Sequence, residues 1–262
     1  MNSRKDYVIE GEGEPVVLLH SSMQTKAQWH RLTALLKQDF RTIAVDLYGY
    51  GEGEFPEDRE NFSLSREAER VKTIIDETIN GDPFHLVGHS YGGATALKLV
   101  TRQAHRIKSL ALFEPVAFHL LHREDPMRTE LDRLVLQICR LLDDNDSSSA
   151  TRTFIDFWSG NGTYDGLKDE QKIFFDTRIQ KVVLDFQAAT QDTARAADFS
   201  KLQLPVCMIA GHRSPPLSRR IAQILSDRLP NVQISYVSGG HMSPVTNPEE
   251  VNPIVAEFIR NS

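Results

Sequence analysis

The segment FHLVGHSYGG, residues 84–93, decides the fold of this chain. Its first four residues form a short apolar run, which predicts a buried strand. The pattern G-x-S-x-G follows at residues 88–92, and a segment typical of a helix begins directly after it. A strand, a sharp turn and a helix in this order are the context in which that pattern exposes a serine hydroxyl at the end of a sheet. Gly88 and Gly92 supply the small residues that such a turn requires, and Ser90 is the candidate nucleophile.

Short apolar runs and longer amphipathic segments alternate on both sides of this turn. Strands that alternate with helices predict a mostly parallel, doubly wound sheet with helices on both faces, which is an α/β fold. The predicted strands are residues 15–20, 41–47, 84–88, 107–113, 204–210 and 232–237, and the predicted helices are residues 27–37, 63–79, 94–102, 217–229 and 247–259.

One long segment interrupts the alternation. Residues 118–199 contain helical patterns and no convincing strand, so we interpret them as a helical cap inserted into a core made of residues 1–117 and 200–262. Within the cap, the polar residues 143–149 have no helical period and are predicted to form a loop. Aromatic residues are concentrated in the cap, which predicts a largely apolar pocket between cap and sheet. They are Phe118, Phe154, Phe157, Trp158, Phe174, Phe175 and Phe186.

One of the nine histidines has the position expected of a general base. His241 follows the last predicted strand in a glycine-rich turn, and histidine is suited to accept a proton near neutral pH. It also follows the serine in the chain, as expected for this pattern. His89 is interpreted as a residue that packs or hydrogen-bonds beside Ser90. His119 and His122 are three residues apart, but no third ligand accompanies them, so no metal site is predicted.

Two further motifs carry a resemblance to a known family. Residues 46–51, DLYGYG, resemble the D-x-x-G-x-G loop of the α/β-hydrolase superfamily, and residues 239–242, GGHM, resemble the loop that carries its catalytic histidine. The resemblance covers residues 7–259 and implies the α/β-hydrolase fold, a serine nucleophile and no cofactor. Only residues 7–9 could form a strand before residues 15–20, so we expect the usual eight-stranded sheet to lack its first strand.

The resemblance also implies two backbone N–H donors for the oxyanion that forms during acyl transfer. One is the N–H of Tyr91, the residue after the nucleophile. The other belongs to the loop after residues 15–20, where the family usually has His-Gly-x and this chain has His20-Ser21-Ser22. The matching donor is the N–H of Ser22, and the serine at position 21 is a departure from the family pattern. Each donor is worth about a hundredfold or more in rate.

The acid that orients His241 does not lie where the resemblance usually places it. That place is the loop after residues 204–210, but residues 211–216, GHRSPP, contain no carboxylate. Some family members carry the acid one strand earlier, and there this chain has Glu114 at the end of an apolar strand. Active-site groups collect at the ends of parallel strands, so Glu114 is the predicted acid. Asp192 and Asp198, near the return of the cap to the core, are the alternatives.

Composition narrows the classes of partner. The net charge of −6 argues against nucleic acid and acidic membrane surfaces. Cys139 and Cys207 lie in apolar or helical segments and are predicted to be buried free thiols. Residues 1–13 have no apolar core of the kind found in signal peptides, and no apolar run approaches the roughly 18 residues of a membrane span. We therefore expect a cytoplasmic protein that acts on a small molecule, with its oligomeric state left open.

The residues together predict a serine hydrolase of a small, largely apolar ester, thioester or related acyl compound. Carbon–carbon bond hydrolases of ring-cleavage products and cofactor-free haloperoxidases of the same fold are alternatives, as is acyl transfer to an acceptor other than water. Haloalkane dehalogenases and epoxide hydrolases are similar in fold, but they use aspartate where this chain has Ser90. A hydrolase-like receptor or regulator with little turnover is an alternative of a different class.

Overall fold

A seven-stranded sheet forms the centre of the computed structural model, which describes residues 6–262. The strands are β1 (Tyr7–Glu10), β2 (Glu14–Leu19), β3 (Phe40–Val45), β4 (Phe84–His89), β5 (Ile107–Phe113), β6 (Val206–Gly211) and β7 (Val232–Val237). Across the sheet they lie in the order β1-β3-β2-β4-β5-β6-β7, and all neighbours pair in parallel except β1, which is antiparallel to β3. In this part of the chain the sheet has one strand fewer than eight, as expected.

The direction of winding reverses at β2. Strand β3 pairs with one edge of β2 and β4 pairs with the other edge, and the later strands then add outward from β4. In open α/β sheets, ligands bind outside the carboxyl ends of the strands at such a reversal. The turn after β4 carries Ser90 and the loop after β2 carries Ser22, so the topology brings these two segments to the same crevice.

Helices cover both faces of the sheet. They are α1 (His30–Leu36), α2 (Leu64–Thr78), α3 (Tyr91–Gln103), α4 (Pro126–Asp143), α5 (Ser147–Ser159), α6 (Asp169–Asp176), α7 (Ile179–Thr190), α8 (Ala196–Phe199), α9 (Pro216–Ser226), α10 (Ser243–Thr246) and α11 (Pro248–Arg260), and short 3-10 helices lie at Lys26–Trp29, Ala104–Arg106 and Phe118–Leu120. On one face α1 and α11 pack over Val16 and Leu18 of β2, whereas Val17 and Leu19 point to the other face, beneath α2, α3 and α9. Each apolar strand is therefore buried on both sides, as parallel sheets require.

The chain between β5 and β6 is helical, and the name cap is kept below for residues 118–199. Helices α4 to α8 lie there without a strand, and their apolar side chains continue the core beneath α2 and α3. The predicted loop at residues 143–149 is too long, because α4 extends to Asp143 and α5 already begins at Ser147, which leaves only residues 144–146 between the two helices. The polar run is a helix start: the Asp146 side chain accepts a hydrogen bond from the Ser149 N–H, which is the contact of an N-cap.

The ends of the core elements differ from the predicted ends by a few residues. The largest shifts are three residues, at the start of α1, at the end of α9 and at the start of α3, which begins at Tyr91 and not at residue 94. The first turn of α3 contains the buried Gly92 and Gly93. Within residues 6–262 no helix combines the length and the apolar character needed to cross a membrane.

Candidate active site

The turn between β4 and α3 holds Ser90 in a strained conformation. Ser90 has φ of 54° and ψ of −115°, values that a residue with a side chain rarely adopts. Glycine is required on both sides: a Cβ on Gly88 would lie 2.7 Å from the Gly92 carbonyl oxygen, and one on Gly92 would lie 2.4 Å from that of His20. The neighbouring strand stabilises the turn, since the Ser90 N–H donates to the Phe113 carbonyl at 3.0 Å. The turn therefore presents the Ser90 hydroxyl at the crevice.

His241 lies in the loop after β7, with its ring against Ser90. Its Nε2 is 2.9 Å from Ser90 Oγ, and the histidine is 2% exposed. His89 supports the loop from below, because its Nε2 donates to the His241 carbonyl oxygen at 2.8 Å. Burial holds the pKa of His89 well below its ordinary value, so this side chain stays neutral. His89 is thus a hydrogen-bonding residue beside the nucleophile.

Glu114 completes a chain of hydrogen bonds with Ser90 and His241. Its Oε2 accepts from His241 Nδ1 at 2.7 Å, and its Oε1 accepts from the Gly211 N–H at 2.8 Å. Burial would raise the pKa of this fully buried carboxyl, but the hydrogen bonds with His241 and Gly211 outweigh burial and leave the pKa lowered. A charged Glu114 keeps the proton of His241 on Nδ1, which leaves Nε2 free to accept the Ser90 proton.

Asp192 and Asp198, the alternative acids, form ion pairs with residues other than His241. Asp192 pairs with Lys98 in a nearly buried ion pair, and Asp198 pairs with Arg195 and Lys201. Glu114 instead follows β5, which is the neighbour of β6, so the acid reaches the same position from one strand earlier. The structure therefore brings Glu114 and His241 together and leaves Asp192 and Asp198 with other partners.

The loop after β2 is held by hydrogen bonds of His20, which belongs to the family pattern, and of Gln28, which was not predicted to take part. His20 Nδ1 donates to the Ser21 carbonyl at 2.7 Å, and His20 Nε2 accepts from the Leu47 N–H at 3.0 Å. Burial lowers the pKa of His20 to about 4, so the ring is neutral, as this pair of bonds requires. Gln28 accepts from both the N–H and the hydroxyl of Ser21 at 3.1 Å. The N–H, the hydroxyl and the carbonyl of Ser21, the residue that departs from the family pattern, therefore all have hydrogen-bond partners.

Ser22 and Tyr91 both border the space next to Ser90. Tyr91 is the first residue of α3, where backbone N–H groups have no acceptor within the helix. The Ser22 hydroxyl donates to Asp185 Oδ2 at 2.6 Å. Ser22 and Tyr91 therefore both lie beside the nucleophile, and the Ser22 side chain is hydrogen-bonded to a carboxylate of the cap.

Asp185 belongs to a buried polar cluster that joins the cap to the core. It accepts from Tyr50 Oη at 2.6 Å and pairs with Lys181 one turn earlier on α7. Lys181 is completely buried, lies 3.6 Å from Glu67 of α2, and has its ammonium 4.7 Å from the ring centre of Tyr91. Burial raises the pKa of Asp185, and the pairing with Lys181 opposes that rise. A lysine and an aspartate spaced by four residues in the otherwise uncharged segment 179–190 were the sequence signal for this cluster.

A cavity of about 440 Å³ opens from Ser90 and His241 between the cap and the α10 segment. Apolar side chains of the cap form much of its wall, including Phe154, Trp158 and Phe175. The indole of Trp158 lies against His241, with 4.3 Å between the ring centres. Of the other cap aromatics, Phe118 and Phe186 border a smaller inner space at Ser90, whereas Phe157 lines a neighbouring cleft and Phe174 is exposed.

The two histidines with helical spacing do not converge. His119 is buried 3.9 Å from Asp192, while the His122 side chain is 79% exposed. Among residues 6–262, no group of three or more histidine, cysteine, aspartate or glutamate side chains could hold a metal ion.

Comparison with known proteins fits this geometry. The model of the alpha/beta hydrolase family matches residues 16–254. The chain belongs to the alpha/beta hydrolase family. It is 25% identical to 3-oxoadipate enol-lactonase 1 of Acinetobacter baylyi over 95% of this chain and 90% of the relative, and 23% identical to a fluoroacetate dehalogenase of a Burkholderia species over 97% and 90%. A hydrolase from Pseudomonas aeruginosa has the same fold, with a TM-score of 0.78 and 21% identity over 96% of this chain and 92% of that one.

Proposed function

We propose that this alpha/beta hydrolase cleaves a small, largely apolar ester or thioester through a covalent acyl-enzyme on Ser90. The observation that carries the proposal is the continuous chain Ser90 Oγ, His241 Nε2, His241 Nδ1 and Glu114 Oε2, with contacts of 2.9 Å and 2.7 Å. A serine hydroxyl needs a base within hydrogen-bond distance to attack a carbonyl, and the base needs a partner that fixes its tautomer. We call these three residues the triad.

The acylation step follows from the positions of these atoms. Ser90 Oγ attacks the carbonyl carbon of the ester while its proton passes to His241 Nε2, and the carbonyl oxygen takes the negative charge. The N–H groups of Ser22 and Tyr91 are the proposed donors to that oxygen. The tetrahedral intermediate then breaks the bond to the leaving group, whose oxygen or sulfur receives the proton from Nε2. The alcohol or thiol departs, and the acyl group remains on Ser90.

Deacylation repeats the same steps with water. A water molecule gives a proton to Nε2 and attacks the acyl carbon, and the second intermediate releases Ser90 Oγ, which recovers the proton from Nε2. The net reaction consumes one water and yields one acid and one alcohol or thiol. The charged Glu114 stabilises the imidazolium that exists in both steps.

One comparison and one residue support ester chemistry over dehalogenation. The Acinetobacter relative is named an enol-lactonase, and a lactone is a cyclic ester. The Burkholderia relative is named a fluoroacetate dehalogenase, but this chain has a serine where the family resemblance gives haloalkane dehalogenases an aspartate. The nucleophile position here is Ser90, in the strained turn that exposes its hydroxyl.

A fluorophosphonate probe tests the proposed nucleophile. It should label Ser90 at low dose and abolish ester hydrolysis, and Ser90→Ala should remove both the labelling and the activity. Labelling that persists in Ser90→Ala would contradict the proposal. Turnover separates an enzyme from a receptor of the same fold: repeated release of alcohol over many equivalents supports hydrolysis, and a single equivalent without further release supports a receptor.

A further inference from the structure

Two spaces of different size meet at Ser90. The outer space is the cavity of about 440 Å³, and the inner space is about 20 Å³. Ser22, Ser90, Phe154 and Trp158 border both of them, so together they form one bent site with the nucleophile at the bend.

Proton transfer assigns a substrate group to each space. His241 Nε2 must protonate the leaving atom, so the leaving group lies beside His241. His241 borders the outer space and not the inner one. Tyr91, one of the proposed donors to the oxyanion, borders the inner space and not the outer one. The leaving group therefore extends into the outer cavity, and the acyl group extends into the inner space.

The inner space is too small for a long chain. A volume of 10–15 Å³ on this measure holds about one water molecule, so about 20 Å³ admits a group of roughly methyl size. Its apolar walls come from both the core and the cap, and Val116, Phe118, Val182 and Phe186 are each buried. The carboxylate of Asp185 also borders it, but its oxygens already accept from Ser22, Tyr50 and Lys181. Close-packed walls of this kind resist enlargement.

We infer that the substrate is an ester of a short acyl group, acetyl or little larger, with a bulky and largely apolar alcohol or thiol. The inference rests on the proposed serine hydrolase function and adds the size of each half of the substrate. The outer walls fit an apolar leaving group, since Ile155, Leu167, Phe175 and Val245 border that cavity.

A series of p-nitrophenyl esters tests the acyl side with the leaving group held constant. Acetate, propionate, butyrate, hexanoate and octanoate differ only in the group that would enter the inner space. We expect kcat/KM to fall about tenfold or more from acetate to butyrate, as one or two misfit methylenes are worth in an apolar pocket. A second series of primary alkyl acetates, from ethyl to octyl, whose leaving groups are nearly equal in basicity, should show kcat/KM rising with the size of the alcohol.

Two variants at Val182 test whether the wall of the inner space limits the size of the acyl group. Val182→Ala enlarges the inner space and should raise the butyrate-to-acetate ratio of kcat/KM about tenfold, whereas Val182→Ile fills the space and should lower the rate with acetate. Leu167→Ala is the matched control, because Leu167 borders only the outer cavity. It should change the preference among alcohols and leave the butyrate-to-acetate ratio as in the wild type.

The outcomes separate this inference from the function on which it rests. Labelling of Ser90 together with a flat or rising acyl series would overturn the short-acyl inference alone. An acyl ratio that responds to Leu167→Ala and not to the Val182 variants would also overturn it. If no ester is hydrolysed and Ser90 is not labelled, the proposed function is wrong and the inference falls with it.

Discussion

Glu114 shows how much one side chain can contribute without touching the substrate. Glu114→Gln keeps the shape of the side chain and removes the charge that holds the His241 proton on Nδ1. We expect kcat to fall about ten-thousandfold while the protein still folds. Steady-state kinetics with a thermal melt would measure both effects.

The control for Glu114 is Asp192→Asn, which removes the charge from an alternative acid. It breaks the ion pair with Lys98 and should lower stability while kcat stays near that of the wild type. Near-full kcat in Glu114→Gln, with loss of activity in Asp192→Asn, would assign the acid to the cap.

A substitution at Ser22 tests whether its hydrogen bond to Asp185 positions the loop after β2. Ser22→Ala keeps the backbone N–H and removes only the hydroxyl that donates to Asp185 at 2.6 Å. Without this hydrogen bond the loop is less rigid, and its N–H is held less exactly toward the oxyanion. We therefore expect kcat to fall about tenfold with little change in KM, which is a smaller loss than the removal of a donor would cause. A change in KM alone would show that the contact serves binding and not the transition state. Asp185→Asn, which leaves Lys181 with a weakened partner, should in addition lower the free energy of unfolding by about 3 kcal/mol.

Ser90, His241 and Glu114 were each predicted from the sequence, and they lie in one chain of hydrogen bonds; the cluster around Asp185 was not predicted. Ser90 and His241 lie in short motifs, and Glu114 follows from the missing carboxylate after β6. Ser22 and Asp185 are 163 residues apart, and their contact depends on how the cap folds back over the core. No local sequence pattern predicts a contact between two residues so far apart in the chain.

The turn between β4 and α3 leaves no room for a side chain at position 92. A Cβ at position 92 would lie 2.4 Å from the backbone oxygens of Leu19 and His20, which cannot move without breaking β2. Gly92→Ala should therefore destabilise the protein by about 3 kcal/mol or more, a drop in Tm on the order of 6–12 °C, and abolish activity. Differential scanning calorimetry measures the shift.

Gly166 provides the matched control for the turn. A Cβ there would meet nothing closer than 3.5 Å, so Gly166→Ala should leave Tm and activity nearly unchanged. Equal tolerance of the two substitutions would mean that the tight approach of α3 to β2 does not exist in solution.

Elements were predicted well where hydrophobic period and length agree, as for β5 and β7. The error at residues 143–149 has a physical cause, since aspartate and serine favour both loops and helix starts. Composition alone could not distinguish a loop from a helix start at these residues. The hydrogen bond from the Ser149 N–H to the Asp146 side chain shows that they begin a helix.

At the scale of the whole molecule, buried neutral histidines predict loss of stability in acid. Burial lowers the pKa of His20 to about 4 and lowers the pKa values of His85, His89 and His119. Below pH 6.5 the unfolded chain takes up protons that the folded protein excludes, so stability falls as the pH decreases. His20 alone accounts for a loss on the order of 3 kcal/mol between pH 7 and pH 4.

Urea denaturation at pH 7.5, 6.5, 5.5 and 4.5 measures this dependence. The free energy of unfolding should decrease at each step, and His20→Gln, which cannot take up the proton, should show a shallower decrease. A free energy that is constant across this range would contradict the neutral, buried state of these rings.

The alternation of strands and helices was enough to predict the parallel sheet and the place of the crevice. The division of that crevice into two spaces was not predictable, because it depends on the packing of Phe118, Trp158, Val182 and Phe186 around Ser90. Volumes of a few tens of Å³ are set by side-chain packing that no sequence pattern records.

Trapping the acyl-enzyme tests the proposed reaction most directly. The protein is mixed with p-nitrophenyl acetate, quenched in acid within milliseconds, digested and analysed by mass spectrometry. We expect a burst of about one equivalent of nitrophenol and a single acetyl group on the peptide that contains Ser90, with neither in Ser90→Ala. Hydrolysis that proceeds without any acetylated Ser90, or an acetyl group on another residue, would contradict the proposed reaction.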